Sequence, residues 1–205
     1  MRRSHRLGDA GQAFPIYLTV VAGLLFLAFA YLAVGQAAAN RNGAQTAADA
    51  AALAAALDTR DKLTDGWLEN VLDPEQWQDI FDGEGFPLDG CGRAQELAAQ
   101  NNATAFCVSE PGLPPGYQVE VTTTEPVGDS IVPGTEDIRS TATATAVIEP
   151  RCEFDLPGED AEDEVLPELR CDDTDWQLDP ENLDDLPGPE DLFDVHLTDG
   201  QGNDE

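Results

Sequence analysis

The sequence is poor in basic residues and in histidine. It has 10 Lys and Arg against 41 Asp and Glu, a formal net charge of −31. A chain this acidic repels nucleic-acid phosphates, which excludes DNA and RNA as partners. The two histidines, His5 and His196, lie near opposite ends, so no Ser/His/Asp or Cys/His constellation can be assembled, and no glycine-rich phosphate loop is present. We therefore expect no enzyme, no catalytic residues, no cofactor and no metal centre.

A long apolar segment lies near the N-terminus, and no second one of comparable length follows. Residues 10–40 contain no Asp, Glu, Lys, Arg or His, and residues 14–34 are the most apolar part. About 20 such residues in a helix cross a hydrocarbon layer of about 30 Å. Pro15 falls in the first turn, where its missing N–H costs little. The segment predicts a transmembrane helix.

The flanking charges predict the orientation of this helix. Arg2, Arg3 and Arg6 precede it, whereas Arg41 alone follows it closely. By the positive-inside rule the N-terminus is cytoplasmic and everything after about Gln36 is extracytoplasmic, in a single-pass cell-membrane protein. The alternative is a cleaved signal peptide ending at residues 37–39, but the apolar run exceeds the 7–15 residues usual for one.

An alanine-rich stretch continues the helix without a proline until Pro74. Alanine is the best helix former, so we expect the helix to extend to about Asp58. Leu53 and Leu57 add a small apolar edge. Small residues spaced by four allow close helix approach, which favours a packing surface for partner helices over a plain surface helix. The predicted packing stripe comprises Ala44, Ala48, Asp49, Ala52 and Ala56.

These features together resemble a known family. Gly11-Gln12, an early proline in a long apolar run, and the run AQTAADAAALAAA at residues 44–56 resemble the N-terminal region of TadE/TadG-like proteins, single-pass components of the tight-adherence (Flp, type IVc) pilus assembly system. The resemblance spans residues 8–58. No glutamate stands five residues after Gly8 or Gly11, where prepilin-type substrates carry one, which favours the unprocessed TadG-like branch.

The sequence after the helix predicts a small α+β domain. Residues 93–101 predict a helix and residues 106–108 a short strand. Residues 117–124 and 138–148 alternate apolar or small side chains with polar ones, which is typical of half-buried strands. This layout is similar to the extracytoplasmic part of TadE/TadG-like proteins and of pilins.

Four cysteines lie on the predicted outer side of the membrane. There is no CxxC pair, and His196 is far from them in sequence, so disulfides are favoured over a zinc site. Three pairings are open to four cysteines. Pairing neighbours would close loops of about 15–20 residues, each contributing about 3 kcal/mol. The disulfide candidates are Cys91, Cys107, Cys152 and Cys171.

The C-terminal segment, residues 151–205, carries more than half of the net negative charge. Its composition predicts a mostly disordered tail. The acid clusters at residues 155–164 and 172–175 lack the spacing of an EF-hand loop, so we expect at most a weak calcium association.

The sequence thus predicts an α+β protein with a transmembrane helix extended by an alanine-rich helix, a pilin-like domain with a short antiparallel sheet, and a disordered acidic tail. The predicted function is a structural component of a Tad/Flp-type pilus or secretion assembly that contacts the membrane and other pilus proteins or pilin-like subunits. The alternatives are an anchored acidic protein that binds calcium or basic surface polymers, and a secreted protein with a long signal peptide.

The predicted domain division has five parts. They are a basic leader at 1–12, the transmembrane helix at 13–36, the helical extension at 37–60, the domain at 61–150 and the tail at 151–205.

Overall fold

The computed structural model of the chain describes residues 13–126, 137–156, 166–172, 174–183 and 185–198. The predicted basic leader lies outside these ranges, as do residues 127–136, which separate the predicted strands at 117–124 and 138–148. Within them the architecture is mixed α+β, as predicted: a long N-terminal helix and a small domain built on antiparallel sheet.

Helix α1, Ala13–Glu69, is a single helix of 57 residues, about 85 Å long at 1.5 Å per residue. It ends eleven residues beyond the predicted Asp58, because its last three turns are held by packing rather than by alanine content. Leu63 and Trp67 are fully buried there.

Three short helical segments follow α1. A 3-10 turn at Pro74–Gln76 leads into α2, Trp77–Phe81. Helix α3, Cys91–Gln100, corresponds to the predicted helix at 93–101. It packs along α1, and the backbone at Gly90 approaches α1 so closely that a Cβ there would lie 2.3 Å from the Ala55 carbonyl oxygen.

The main sheet has four antiparallel strands in the order β1-β2-β3-β7. The register places Val119 opposite Cys107 on one side and Ala144 on the other. The first three strands overlap the three predicted strand segments: β1 extends beyond 106–108 at both ends, β2 ends one residue short of Thr124, and β3 begins three residues after Ile138. The strands are β1 at Ala103–Glu110, β2 at Gly116–Thr123, β3 at Thr141–Pro150 and β7 at Phe193–Leu197.

One face of this sheet is covered by α1 and α3, and the other faces solvent. Tyr117, Val119 and Val121 of β2 and Ala144 and Ala146 of β3 point towards α1 and are buried. The alternate residues of β3 are the predicted threonine face and lie on the opposite side of the sheet. The core is therefore a single layer between one helical layer and one sheet.

The acidic segment corrects the prediction of a mostly disordered tail. It forms a second, three-stranded sheet of β4, β5 and β6, then helix α4 and strand β7, the fourth strand of the main sheet. Composition pointed to disorder because acids dominate, but the few apolar residues lie where the domain can bury them. The elements are β4 at Cys152–Glu153, β5 at Leu169–Cys171, β6 at Asp175–Trp176 and α4 at Pro189–Leu192.

An aromatic cluster joins this acidic segment to the helices. The ring centroids of Trp67 and Trp77 are 5.5 Å apart, and those of Trp77 and Phe154 are 5.3 Å apart. Phe81 packs at 5.6 Å from Phe193, the first residue of β7. The cluster therefore links α1 and α2 to two separate parts of the segment after residue 150.

Both disulfides join neighbouring cysteines in the sequence. Cys91–Cys107 ties α3 to β1 across 16 residues, and Cys152–Cys171 ties β4 to β5 across 19. No cysteine is left free. Each bond therefore closes a short loop between adjacent elements, which in chain-entropy terms corresponds to about 3 kcal/mol.

Candidate functional site: the exposed apolar helix and the helix face beyond it

The first half of α1 is apolar and has no packing partner in the described part of the chain. An 18-residue window has a mean hydropathy of 2.3 and is 0% buried. Exposed side chains include Phe26 at 72% and Leu24 at 62%. In water such a surface would be strongly unfavourable, so length and composition fit a helix that crosses a membrane.

Polar features of this half of α1 lie near its ends. Pro15 stands in the first turn, and its carbonyl accepts a hydrogen bond from the hydroxyl of Thr19. Tyr17 and Tyr31 are exposed towards either end of the apolar stretch, where amphipathic rings favour the membrane–water interface. The apolar stretch 14–34 is about 30 Å long, which matches the hydrocarbon thickness.

The domain begins to contact α1 about two turns after the apolar stretch. The side-chain amide of Asn40 donates to the Pro126 carbonyl oxygen at 3.4 Å, at the end of the sheet where β2 leads towards β3. Ala44 is the first fully buried alanine. The sheet therefore lies close to the end of the apolar stretch, and α1 passes from one environment to the other without a break.

The structure corrects the predicted role of the alanine stripe. Ala44, Ala48, Ala52 and Ala56 are all 0% exposed, because the chain's own sheet and α3 cover them. Only Asp49 is partly exposed, and its carboxylate accepts a hydrogen bond from the Gln45 amide at 2.7 Å. The small side chains were predicted to face partner helices. Instead their small size lets a helix lie directly on a sheet that carries Val119 and Tyr117.

A different face of α1 remains open beside α3. Ala50, Leu53, Ala54 and Leu57 have the i, i+3, i+4, i+7 spacing of one helix face, and Leu97 of α3 forms the other wall. The groove has a volume of about 370 Å³, and Leu57 is 38% exposed. The sequence signalled this surface only through the apolar edge of Leu53 and Leu57.

Charged residues at one end of this groove are already paired with each other. Arg60 contacts Asp61 at 2.7 Å, and Arg93 is paired with Glu96. Lys62 donates to Asp58 at 2.8 Å and to Asp89 at 2.6 Å, bridging α1 to the loop before α3. The hydrogen bonds to these two carboxylates raise the pKa of Lys62 above its ordinary value.

Two acids of the acidic segment are paired with its two arginines. Arg151 contacts Asp172 at 3.3 Å, and Arg170 contacts Asp155 at 2.8 Å. Among the described residues, no group of three or more His, Cys, Asp or Glu is placed to hold a metal ion. Most of the acid window at 155–164, together with residue 173, lies outside the described residues.

A long apolar helix without a partner, running into a small disulfide-bonded α+β domain, fits a single-pass membrane protein with its folded part on one side. Residues 11–58 match the family model described as "Putative Flp pilus-assembly TadE/G-like". This match covers 48 of the 205 residues and supports the resemblance to TadE/TadG-like proteins predicted over residues 8–58. No curated protein and no solved structure matches the chain.

Proposed function

We propose that the chain is a structural component of a Tad/Flp-type pilus or secretion assembly, without enzymatic activity, in which α1 anchors the domain and packs against other assembly proteins. The observation that carries the proposal is the division of α1: a lipid-compatible half, followed directly by a half that holds a folded domain. The family match covers this same stretch.

The proposed orientation follows from charge. The three arginines among the first six residues would stay in the cytoplasm, which leaves the domain and both disulfides outside. Disulfides persist in oxidising compartments and are rare in the cytoplasm, so the Cys91–Cys107 and Cys152–Cys171 bonds support the same direction.

The proposed partner surface is the groove of Ala50, Leu53, Ala54 and Leu57 beside α3. It replaces the buried alanine stripe in this role. Its occupant would be an apolar helix of a second single-pass assembly protein or pilin-like subunit. The argument is continuity: α1 is one uninterrupted helix from the apolar stretch to the groove, so a partner helix that packs alongside its membrane half and continues beyond the membrane can follow α1 to the groove.

Photo-crosslinking tests this function. Benzoylphenylalanine is placed at Leu57, inside the groove, and at Leu183, which is 37% exposed but lies outside it. The protein is crosslinked in cells that assemble the pilus, and the products are identified by mass spectrometry. We expect Leu57, and not Leu183, to yield a defined product with a single-pass Tad/Flp protein. Equal yields from the two positions, or products without a membrane helix, would refute the packing role.

Two further measurements test the anchor and the assembly role. N-terminal sequencing of membrane-extracted protein should find the apolar helix retained, whereas a start at Asn40 would mean a cleaved signal. Deleting the gene should impair pilus assembly or adhesion.

The proposed weak calcium association of the acidic segment is tested by isothermal titration of the protein with calcium. A site of sub-micromolar affinity would instead favour a specific calcium-binding role.

A further inference from the structure

A second groove lies at the end of the domain beside the C-terminal part of α1. It has a volume of about 670 Å³ and is formed by the turn at 82–88 and the connection between β1 and β2 at 110–115. The ring of Phe86 packs so closely on α1 that a Cβ at Gly66 would lie 2.4 Å from it. Gly66 is about 40 Å along α1 from Asn40, so this groove is remote from the proposed membrane surface.

The walls of this groove are held in place by backbone contacts. The N–H of Gly83 donates to the Ile80 carbonyl at 3.0 Å, and the N–H of Glu84 donates to the Asp79 carbonyl at 2.7 Å. Gly83 has a φ of 71°, and a Cβ there would lie 3.2 Å from Pro115 Cγ, so the two loops touch. A preformed groove loses little conformational freedom when it binds a ligand.

The groove combines an apolar floor with acidic walls. Phe86 and Leu88 are half-buried, and Leu113 is 72% exposed at its mouth. Asp82 and Glu84 contribute carboxylates, and no Lys, Arg or His is among the lining residues in the described part of the chain. Lys62 of α1 is held by two other carboxylates, those of Asp58 and Asp89.

We propose that this groove binds an extended peptide segment of a partner protein in which basic and apolar side chains alternate. An ammonium or guanidinium group is attracted to the Asp82 and Glu84 carboxylates, and the apolar side chains between them cover Phe86 and Leu113. A second copy of this chain is a poor occupant because it would bring another net charge of −31 to an acidic surface.

The test uses the full chain in phosphatidylcholine nanodiscs and fluorescence polarisation. The probe is a fluorescein-labelled octapeptide of alternating leucine and lysine, with empty nanodiscs as the blank. Two comparison peptides replace every leucine by serine or every lysine by glutamate. We expect the leucine–lysine peptide to bind at least tenfold more tightly than either, with affinity that falls as salt rises.

Matched variants separate the groove from the general acidity of the surface. Asp82→Asn with Glu84→Gln removes two charges at the groove, and Glu120→Gln with Glu149→Gln removes two from the exposed face of the sheet. We expect the first pair to weaken binding at least fivefold and the second less than twofold. Leu113→Ser, at an exposed position, should also weaken binding at least threefold.

Several outcomes would overturn the proposal. One is that the two double variants lose peptide affinity equally. Another is that the serine–lysine peptide binds as tightly as the leucine–lysine peptide. The third is that neither Leu113→Ser nor the Asp82/Glu84 variant changes the affinity for the leucine–lysine peptide. Thermal melts identify any variant that fails to fold, in which case Leu113→Ser and the comparison peptides decide. Because the readout is peptide binding at this groove, its failure leaves the crosslinking result at Leu57 unaffected.

Discussion

The hydroxyl oxygen of Tyr117 lies 2.6 Å from the hydroxyl oxygen of Thr59 in the interior of the domain. The same Tyr117 oxygen accepts the backbone N–H of Gly90 at 3.0 Å. One side chain of β2 therefore connects the C-terminal part of α1 to the start of α3, at a point where both Tyr117 and Thr59 are buried.

Tyr117→Phe is expected to lower the free energy of unfolding by about 2 kcal/mol. It leaves the Gly90 N–H without its partner in a buried position, and an unsatisfied buried donor costs about 1–3 kcal/mol. Chemical denaturation of the detergent-solubilised protein, followed by tryptophan fluorescence, measures the change. Tyr31→Phe removes the same atom from a side chain that is 83% exposed, and should change stability by less than about 0.5 kcal/mol. Equal effects would mean that the buried hydrogen bonds contribute nothing.

Ala48→Leu is expected to destabilise the domain by about 1–3 kcal/mol, because Ala48 is fully buried between α1 and the structure that covers it. Ala39→Leu adds the same atoms to the same helix at an exposed position and should be close to neutral. Thermal unfolding by circular dichroism compares the two. A neutral Ala48→Leu would place the alanine stripe on an open surface and restore it as a candidate for partner helices.

Phe193→Ala is expected to cost about 3–5 kcal/mol, the usual loss for a buried aromatic side chain. Phe193 is 1% exposed and begins β7 within the acidic segment. The control is Phe106→Ala, since Phe106 is 70% exposed on the outer face of β1. If the two variants had equal stability, β7 would not be an integral strand of the sheet.

The contact between Lys62 and Asp89 predicts a dependence on pH. The hydrogen bond from Lys62 holds the pKa of Asp89 below its ordinary value of 3.8. A carboxylate with a lowered pKa stabilises the folded state above pH 3.8, and this contribution is lost as the pH falls through the lowered pKa. The melting temperature of Asp89→Asn should therefore lie below that of the unaltered protein at neutral pH, and the difference should shrink as the pH falls below 3.8.

The control for this prediction is Glu75→Gln, which removes one charge at a position that makes no contact with Lys62. Its difference from the unaltered protein should not follow the same pH profile. Because Lys62 and Asp89 are both solvent-exposed, the effect is expected to be small. If the melting temperatures of Asp89→Asn and the unaltered protein differed by the same amount from pH 2 to pH 7, the Asp89 carboxylate would not stabilise the fold through Lys62.

Properties that depend on local sequence were predictable. The apolar helix follows from the preference of its side chains for lipid over water. The strand that begins at Thr141 follows from the alternation of alanine and threonine over residues 141–146. The neighbour pairing of the cysteines was one of three open choices, and only the structure selected it, by placing Cys91 against Cys107 and Cys152 opposite Cys171.

The sequence by itself determined the membrane-compatible half of α1, its continuation into an alanine-rich helix and the α+β character of the domain. Only the tertiary structure decided which side of that helix is free, and that the acidic segment completes the sheet through β7. The reason is physical: burial of an alanine such as Ala48, or of Phe193 among acids, depends on the surface that lies across from it. That surface is assembled from residues distant in the sequence, so neither hydrophobicity nor local period reveals it.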